Sequence, residues 1–192
     1  MGSRYAKGVG IETAPTAAIG WFRKAADQGD VNGTLWLDSS YASGQGVTRN
    51  DAEAFHWFAK AAAQGDAQAE VYLAALYKEG RGVAKDDLQA ASWLSKSAEQ
   101  GHAEAQTNLG VAYLAGRGVE RDPAAGVMWL RRSAEQGNVA GMLDLVVYYW
   151  DKSAVAQDAV DAFEWFAKAA KLGDARGEFY LATCYAFGEG TR

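Results

Sequence analysis

The strongest constraint on this chain is a period. Trp21, Trp57, Trp93, Trp129 and Trp165 stand 36 residues apart, and each opens a version of one phrase: WFRKAADQG, WFAKAAAQG, WLSKSAEQG, WLRRSAEQG and WFAKAAKLG. Tyr5, Tyr41, Tyr77, Tyr113, Tyr149 and Tyr185 keep the same step. A fixed interval without insertion or deletion describes a stacked array, in which each unit needs its neighbours to bury its apolar face. The whole chain, 1–192, is therefore expected to be a single array of about five repeats with partial units at both ends.

Residues 103–137 show how one unit folds. Ala105, Leu109 and Tyr113 step by four and share one helical face. Gly116 and Gly118 follow around Arg117 and turn the chain. Asp122 precedes Pro123, which is a helix start: a capping carboxylate, then a residue tolerated at the first position. The second helix carries Val127, Leu130 and Ala134 inward with Trp129 beside them. Arg131 and Arg132 lie in its last turns, where cations favour the negative end of the dipole, and Gly137 ends it. The unit is predicted to be two antiparallel helices of about 12 to 14 residues joined by a short loop. Asn50, Asp86 and Asp158 occupy the Asp122 cap position, with Asn50–Glu53 and Asp86–Gln89 resembling reciprocal capping pairs. Alanine recurs at 26, 62, 98, 134 and 170, expected where adjacent helices approach.

The pattern A-x-x-x-L-G-x-x-Y-x-x-G-x-G-V, a capped second helix, then W-L/F-x-K/R-A/S-A-x-Q-G resembles the Sel-1-like repeat (SLR) family, a relative of the tetratricopeptide repeats, from about Tyr5 to Gly190. A tetratricopeptide array repeats at about 34 residues. The resemblance implies an all-α, right-handed α/α superhelical solenoid of helix–loop–helix repeats whose concave face is lined by the first helices. It also implies a scaffold or adaptor role. Some relatives act at the bacterial envelope or at host contacts, and cysteine-rich relatives have been linked to β-lactam binding. The single Cys184 departs from that subgroup.

Composition narrows the functions. The net charge is −5 and the pI about 5.1, with no basic run, so the phosphate-neutralising footprint of a nucleic-acid binder is missing. One cysteine excludes an intrachain disulfide framework. No stretch reaches the ~18 uninterrupted apolar residues of a membrane span. MGSRYAKG lacks the apolar core of a signal peptide, and Met1-Gly2-Ser3 reads as a cloning remnant, which leaves the compartment open.

The search for chemistry yields no catalytic, metal or cofactor site, and the chain is read as a non-enzyme. His56 and His102 have no accompanying ligand pattern, and Cys184 reads as a packing residue rather than a nucleophile. The G-x-G pairs at 44/46, 80/82, 116/118 and 188/190 have no preceding strand and no following Lys-Ser/Thr, so they are turns rather than phosphate loops.

Periodic positions encode the fold, so partner recognition is sought where the repeats differ. With residue 109 pointing to the core, positions of the 104, 107, 108 and 111 type are expected to point mostly away from it. The 104-type residues are Asn32, Gln68, Glu104, Ala140 and Arg176; the 108-type are Trp36, Tyr72, Asn108, Asp144 and Tyr180; the 107-type are Leu35, Val71, Thr107, Leu143 and Phe179. Trp36 and Tyr72 are the expected aromatic anchors for a peptide, with Asn32 and Gln68 beside them to bond an extended backbone; packing of these rings against neighbouring helices is the competing reading. The candidate partner-binding set is Asn32, Trp36, Gln68, Tyr72, Glu104, Asn108, Asp144, Arg176 and Tyr180, and the expected partner is a protein or peptide.

Two local irregularities complete the reading. In GMLDLVVYYWDKSAVAQDAV the glycine pair is replaced by Lys152 and Ala154, predicting a changed loop at 151–157 and a slightly longer preceding helix, with Val147 and Trp150 as an alternative apolar contact. An unpaired second helix around Trp21 and Phe22, and an unpaired first helix around Phe179 and Tyr185, predict a segment of a longer array and head-to-tail self-association. A structural module assembling end to end is thus the alternative to a peptide scaffold. An envelope enzyme of the cysteine-rich type is the remote third.

Overall fold

The computed structural model describes residues 14–151 and 156–188. Among them are ten helices and no strand: α1 (Pro15–Asp27), α2 (Val31–Ser43), α3 (Asp51–Ala62), α4 (Ala67–Glu79), α5 (Asp87–Glu99), α6 (Ala103–Ala115), α7 (Pro123–Glu135), α8 (Val139–Asp151), α9 (Ala156–Lys171) and α10 (Ala175–Phe187). The all-α reading holds. Even-numbered helices are the first helices of the repeats, and odd-numbered ones the second. They gather into two compact units, Met1–Gln100 and Gly101–Arg192.

Caps set the boundaries. The side chains of Asn50, Asp86 and Asp122 accept backbone N–H bonds from the first turns of α3, α5 and α7. Asn50 and Asp86 each take two, but the return bond from Glu53 or Gln89 is not formed among the described residues, so the capping pairs are one-way. The first helices have caps of their own that the sequence reading passed over. Asp30, Asp66 and Asp174 cap α2, α4 and α10, and His102 does so for α6 through Nδ1. Asn138 accepts from the Gly141 amide at the start of α8. The Asp158 assignment is corrected: α9 begins at Ala156, so Asp158 lies inside the helix. Ala156 and Gln157 are strong helix formers, and no glycine pair interrupts the chain before them. Lys152 and Ala154, which carry the loop expectation, lie outside the described residues, as does the side chain of Trp150.

The glycine loops pin neighbouring repeats. Gly80 ends α4 in the left-handed conformation, at φ 71°. Gly82 is also left-handed, and a Cβ placed on it would lie 2.0 Å from the Asp51 carbonyl oxygen. The second glycine therefore serves contact as much as turning: the loop backbone lies against the start of α3. Arg81 between them reaches Asp38 at 2.9 Å and Asp51 at 3.4 Å.

In the first unit, consecutive helices pack pairwise. Phe22, Leu37, Tyr41 and Trp57 form one core cluster; Phe58, Ala62, Leu73 and Leu76 form a second. In the second unit, consecutive helices pack likewise, and α8 also touches both α6 and α10. Leu130, Leu145, Val146, Tyr149, Trp165 and Phe166 make its core. The close approach of α6 and α7 falls at Gly110 and Gly126: a Cβ on either would lie within 3.0 Å of its partner's carbonyl oxygen.

The tryptophan ladder is not uniformly core. Trp57 and Trp165 are buried, Trp93 and Trp129 half-buried, and Trp21 is 41% exposed. Each carries a cation three residues on: Lys24, Lys60, Lys96, Arg132 and Lys168 lie 3.6–5.0 Å from the ring centroids. This i,i+3 spacing puts the cation over the ring face, a quadrupole attraction worth about 0.5–1 kcal/mol at exposed sites. The W-x-x-K/R motif is thus explained by a side-chain pair, which adds to the helix-dipole reading of Arg132.

Candidate first-helix interaction surface

The nine candidate residues fall into two sets, one in each unit. In the first unit, Asn32 is exposed and Gln68 half-buried at the first turns of α2 and α4. Trp36 is half-buried and stacks on Phe22 of α1 with centroids 5.3 Å apart and planes 4° from parallel. Tyr72 is half-buried and packs on Phe58 of α3 at 5.1 Å. These rings extend the core of their own repeats as well as facing outward. The packing partner is the preceding second helix, fourteen residues upstream in each case.

In the second unit, Glu104 and Asn108 are exposed on α6, Asp144 is half-buried on α8, and Arg176 is exposed on α10. Tyr180 repeats the aromatic arrangement, packing on Phe166 at 5.4 Å. Because α8 lies against both α6 and α10, Asp144 sits on the middle helix of three, between the repeat-equivalent positions of Asn108 and Tyr180. Burial raises its carboxyl pKa above the ordinary range, and the charge of Arg176 opposes that shift. Arg176 itself is drawn to the α10 cap, its Nε 3.7 Å from Asp174.

One expectation about this face is corrected. The 107-type position does not point away from the core: Thr107 is only 6% exposed and Val71 is buried. The Thr107 hydroxyl bonds the Ser133 hydroxyl at 2.7 Å, and a Cβ on Gly141 would lie 2.9 Å from it, so this position serves the junction of α6, α7 and α8. A wheel drawn for one helix misses this, because a first helix is covered on two sides. Phe179, the 107-type residue of α10, is 60% exposed.

Polar groups inside the units are tied by repeat-spaced bonds that the sequence reading also missed. Gln100 donates to Glu70 at 2.8 Å, and Gln136 donates to Gln106 at 2.7 Å. Ser97 and Ser133 donate to the Ala67 and Ala103 carbonyls. Arg131 bonds both Tyr149 and Asp161, and Arg23 bonds Tyr41 in the same register. His56 is exposed and Cys184 is buried. Among the described residues no cluster of His, Cys, Asp or Glu could hold a metal ion, and no helix is long and apolar enough to cross a membrane.

A family model described as Sel1 repeat matches residues 1–30, 39–66, 67–102, 103–138, 146–174 and 175–192. The chain belongs to the Sel1 repeat family. Its fold is similar to that of c5321, a protective antigen present in uropathogenic Escherichia coli strains and displaying an SLR fold. The two share 37% identity and a TM-score of 0.88 over 100% of this chain and 41% of that one. A Sel1 repeat protein from Oxalobacter formigenes is 35% identical at a TM-score of 0.81, over 98% of this chain and 55% of its own length. Helicobacter pylori cysteine rich protein B shares the fold at 23% identity and a TM-score of 0.54, over 65% of this chain. No curated protein matches. The Sel1 chain thus spans about half the length, or less, of the first two solved relatives. Sel1-repeat proteins are generally protein-interaction scaffolds, typically without enzymatic activity.

Proposed function

We propose that this chain is a scaffold that holds an extended peptide or protein segment along the first-helix face of its repeats. The observation that carries this reading is the 108-type position. It lies on the outward side of every first helix, it is half-buried or exposed throughout, and its identity changes from Trp36 and Tyr72 to Asn108, Asp144 and Tyr180 while the neighbouring fold positions repeat. A fold that needed one residue there would show one residue there. Half-buried aromatics held by a second ring are rigid, which lowers the entropy lost on binding. Site-specific photocrosslinking in the native host tests it. A crosslinker at position 68 or 108 should give discrete adducts, whereas one at Met128, exposed on α7, should not. Adducts from position 128 alone would move the site to the second helices.

End-to-end assembly is the second reading. Phe179, Tyr185 and Phe187 are exposed on α10, with Phe187 at 77%. The complementary surface expected at α1 is weaker than the sequence implies, because Phe22 is buried under Trp36. Sedimentation of Phe179→Glu against the parent chain decides between a self-association that the charge abolishes and a monomer in both.

A further inference from the structure

Among the described residues, buried polar side chains other than the Trp57 indole, whose nitrogen has no partner, are held by the chain itself. Glu70 has Gln100, Gln106 has Gln136, and Ser97, Thr107 and Ser133 have carbonyl or hydroxyl partners. Asp144 differs. It is half-buried on the middle helix of the α6–α8–α10 layer, yet among the described residues it makes no hydrogen bond and no ion pair within 4.0 Å. Arg176 acts on it only through space and pairs instead with Asp174.

The surroundings of Asp144 have a consistent chemistry. Asn108 occupies the same register on α6 and offers an amide oxygen; Tyr180 occupies it on α10 and offers a ring. Val147, nearly one turn along α8, is 46% exposed. A carboxylate accepts two or more N–H bonds, an aromatic ring attracts a cation, and an exposed valine covers an aliphatic stem. The chain as a whole carries net charge −5.

We propose that Asp144, flanked by Asn108 and Tyr180, is the anchor for a lysine or arginine side chain of the peptide held on this face. The inference rests on the scaffold reading above and specifies the chemistry of the partner. A charge in this half-buried place lowers the stability of the free chain, since desolvation is not offset by a direct bond. That is the expected state of a recognition group whose partner comes from outside. An incoming ammonium or guanidinium supplies the missing donors and completes the set. Arg176 sets the selectivity: held at the α10 cap, it repels a second cation and restricts the site to one basic residue in register.

The probe is a random-peptide library displayed on phage, panned against the unaltered chain, Asp144→Asn and Asp144→Ser. Circular dichroism establishes that each variant is folded, and the second variant stands in if the first is not. Peptides enriched on the unaltered chain should carry a lysine or arginine at a fixed place. Replacing that residue by norleucine or citrulline should weaken binding about tenfold or more. The same replacement should have little further effect on the Asp144 variants, because the two changes remove one interaction. Enriched peptides without a basic residue, or equal binding by Asp144→Asn, would overturn the assignment of Asp144 and leave the scaffold reading standing. No enrichment on any of the three proteins would overturn the scaffold reading, and this inference with it.

Discussion

The same first-helix position is solved in opposite ways in the first unit and at Asp144 in the second. In the first, Phe22 carries Trp36 and Phe58 carries Tyr72, so the outward residue is glued to its own repeat by a ring pair. In the second, the residue fourteen positions before Asp144 is Leu130 rather than phenylalanine, and among the described residues Asp144 has no direct hydrogen-bond or ion-pair partner. Tyr180 over Phe166 restores the aromatic arrangement on the next first helix. The backbone tolerates both because the helices are held by other contacts. What differs is whether the repeat satisfies the side chain itself or, as proposed for Asp144, leaves that to a molecule from outside.

The largest expected effect is at the ring pairs. Replacing Trp36 and Tyr72 together by Ala should lower unfolding free energy by about 3 kcal/mol, since each loses half-buried apolar area and a stacked partner. Thermal or urea unfolding measures it. An unchanged midpoint would show that both rings of the first unit are surface groups, and the contrast with Asp144 would collapse. Such a loss also means that weaker binding by this pair of substitutions cannot be assigned to contact alone, so the milder Tyr72→Phe is the better probe of its hydroxyl.

A middle-sized effect is expected at Glu70. Its pKa is raised by burial, while Lys96 and the Gln100 bond oppose the shift. Gln106 occupies the same place in the next repeat and is bonded by Gln136 in the same way. Glu70→Gln should therefore change stability by less than about 0.5 kcal/mol, whereas Glu70→Leu, which strips Gln100 of its acceptor, should cost about 1 kcal/mol. A large loss from the glutamine variant would show that the charge itself matters.

Asp144→Asn should stabilise the free chain by about 0.5 kcal/mol at neutral pH, a modest figure because the group is half-exposed and screened. The pH dependence has a definite sign. The folded pKa lies above the unfolded value of about 3.9, so between the two the native state binds more protons and stability falls as pH rises. Above both values the cost is constant. The parent chain minus the Asn variant should show that fall, measured by thermal midpoints across the acidic range. A variant less stable than its parent at neutral pH would mean that Asp144 is satisfied within the fold.

Much of this architecture is legible in the sequence, and all but one of the failures share a cause. The period shows directly on comparing copies, and the helix lengths, the caps at Asn50, Asp86 and Asp122 and the glycine stop at Gly137 are local, settled by residues within a turn or two. The Arg131–Tyr149–Asp161 tie, the Gln136–Gln106 bond and the burial of Thr107 join residues 18 to 30 apart, and no helical wheel contains them. The step from Phe22 to Trp36 and from Phe58 to Tyr72 is visible as a repeat-spaced pair, but it becomes a contact only once the two helices are packed. Asp158 fails for the reverse reason: its cap assignment borrowed the register of other repeats at the one place where the preceding loop sequence changes.

The smallest effect, a difference between two variants, sharpens the comparison from the other side of the repeats. If recognition lies on the first helices, the cation–tryptophan pairs of the second helices should be structural in both units and differ only with burial. Lys168 lies 3.8 Å from the centroid of Trp165, which is buried, and Lys24 lies 4.8 Å from that of the exposed Trp21. A cation over a desolvated ring is attracted more strongly than one over a wet ring, because water competes less for it. Lys24→Met should cost about 0.5 kcal/mol, the lower end for an exposed ring, and Lys168→Met about 0.3 kcal/mol more. Neither should alter which peptides the chain enriches. Equal costs would mean that the pairs act through the helix dipole alone, since each lysine lies near the end of its helix. A changed peptide selection from either variant would place recognition on the second helices, and the contrast between Trp36 and Asp144 would lose its functional meaning.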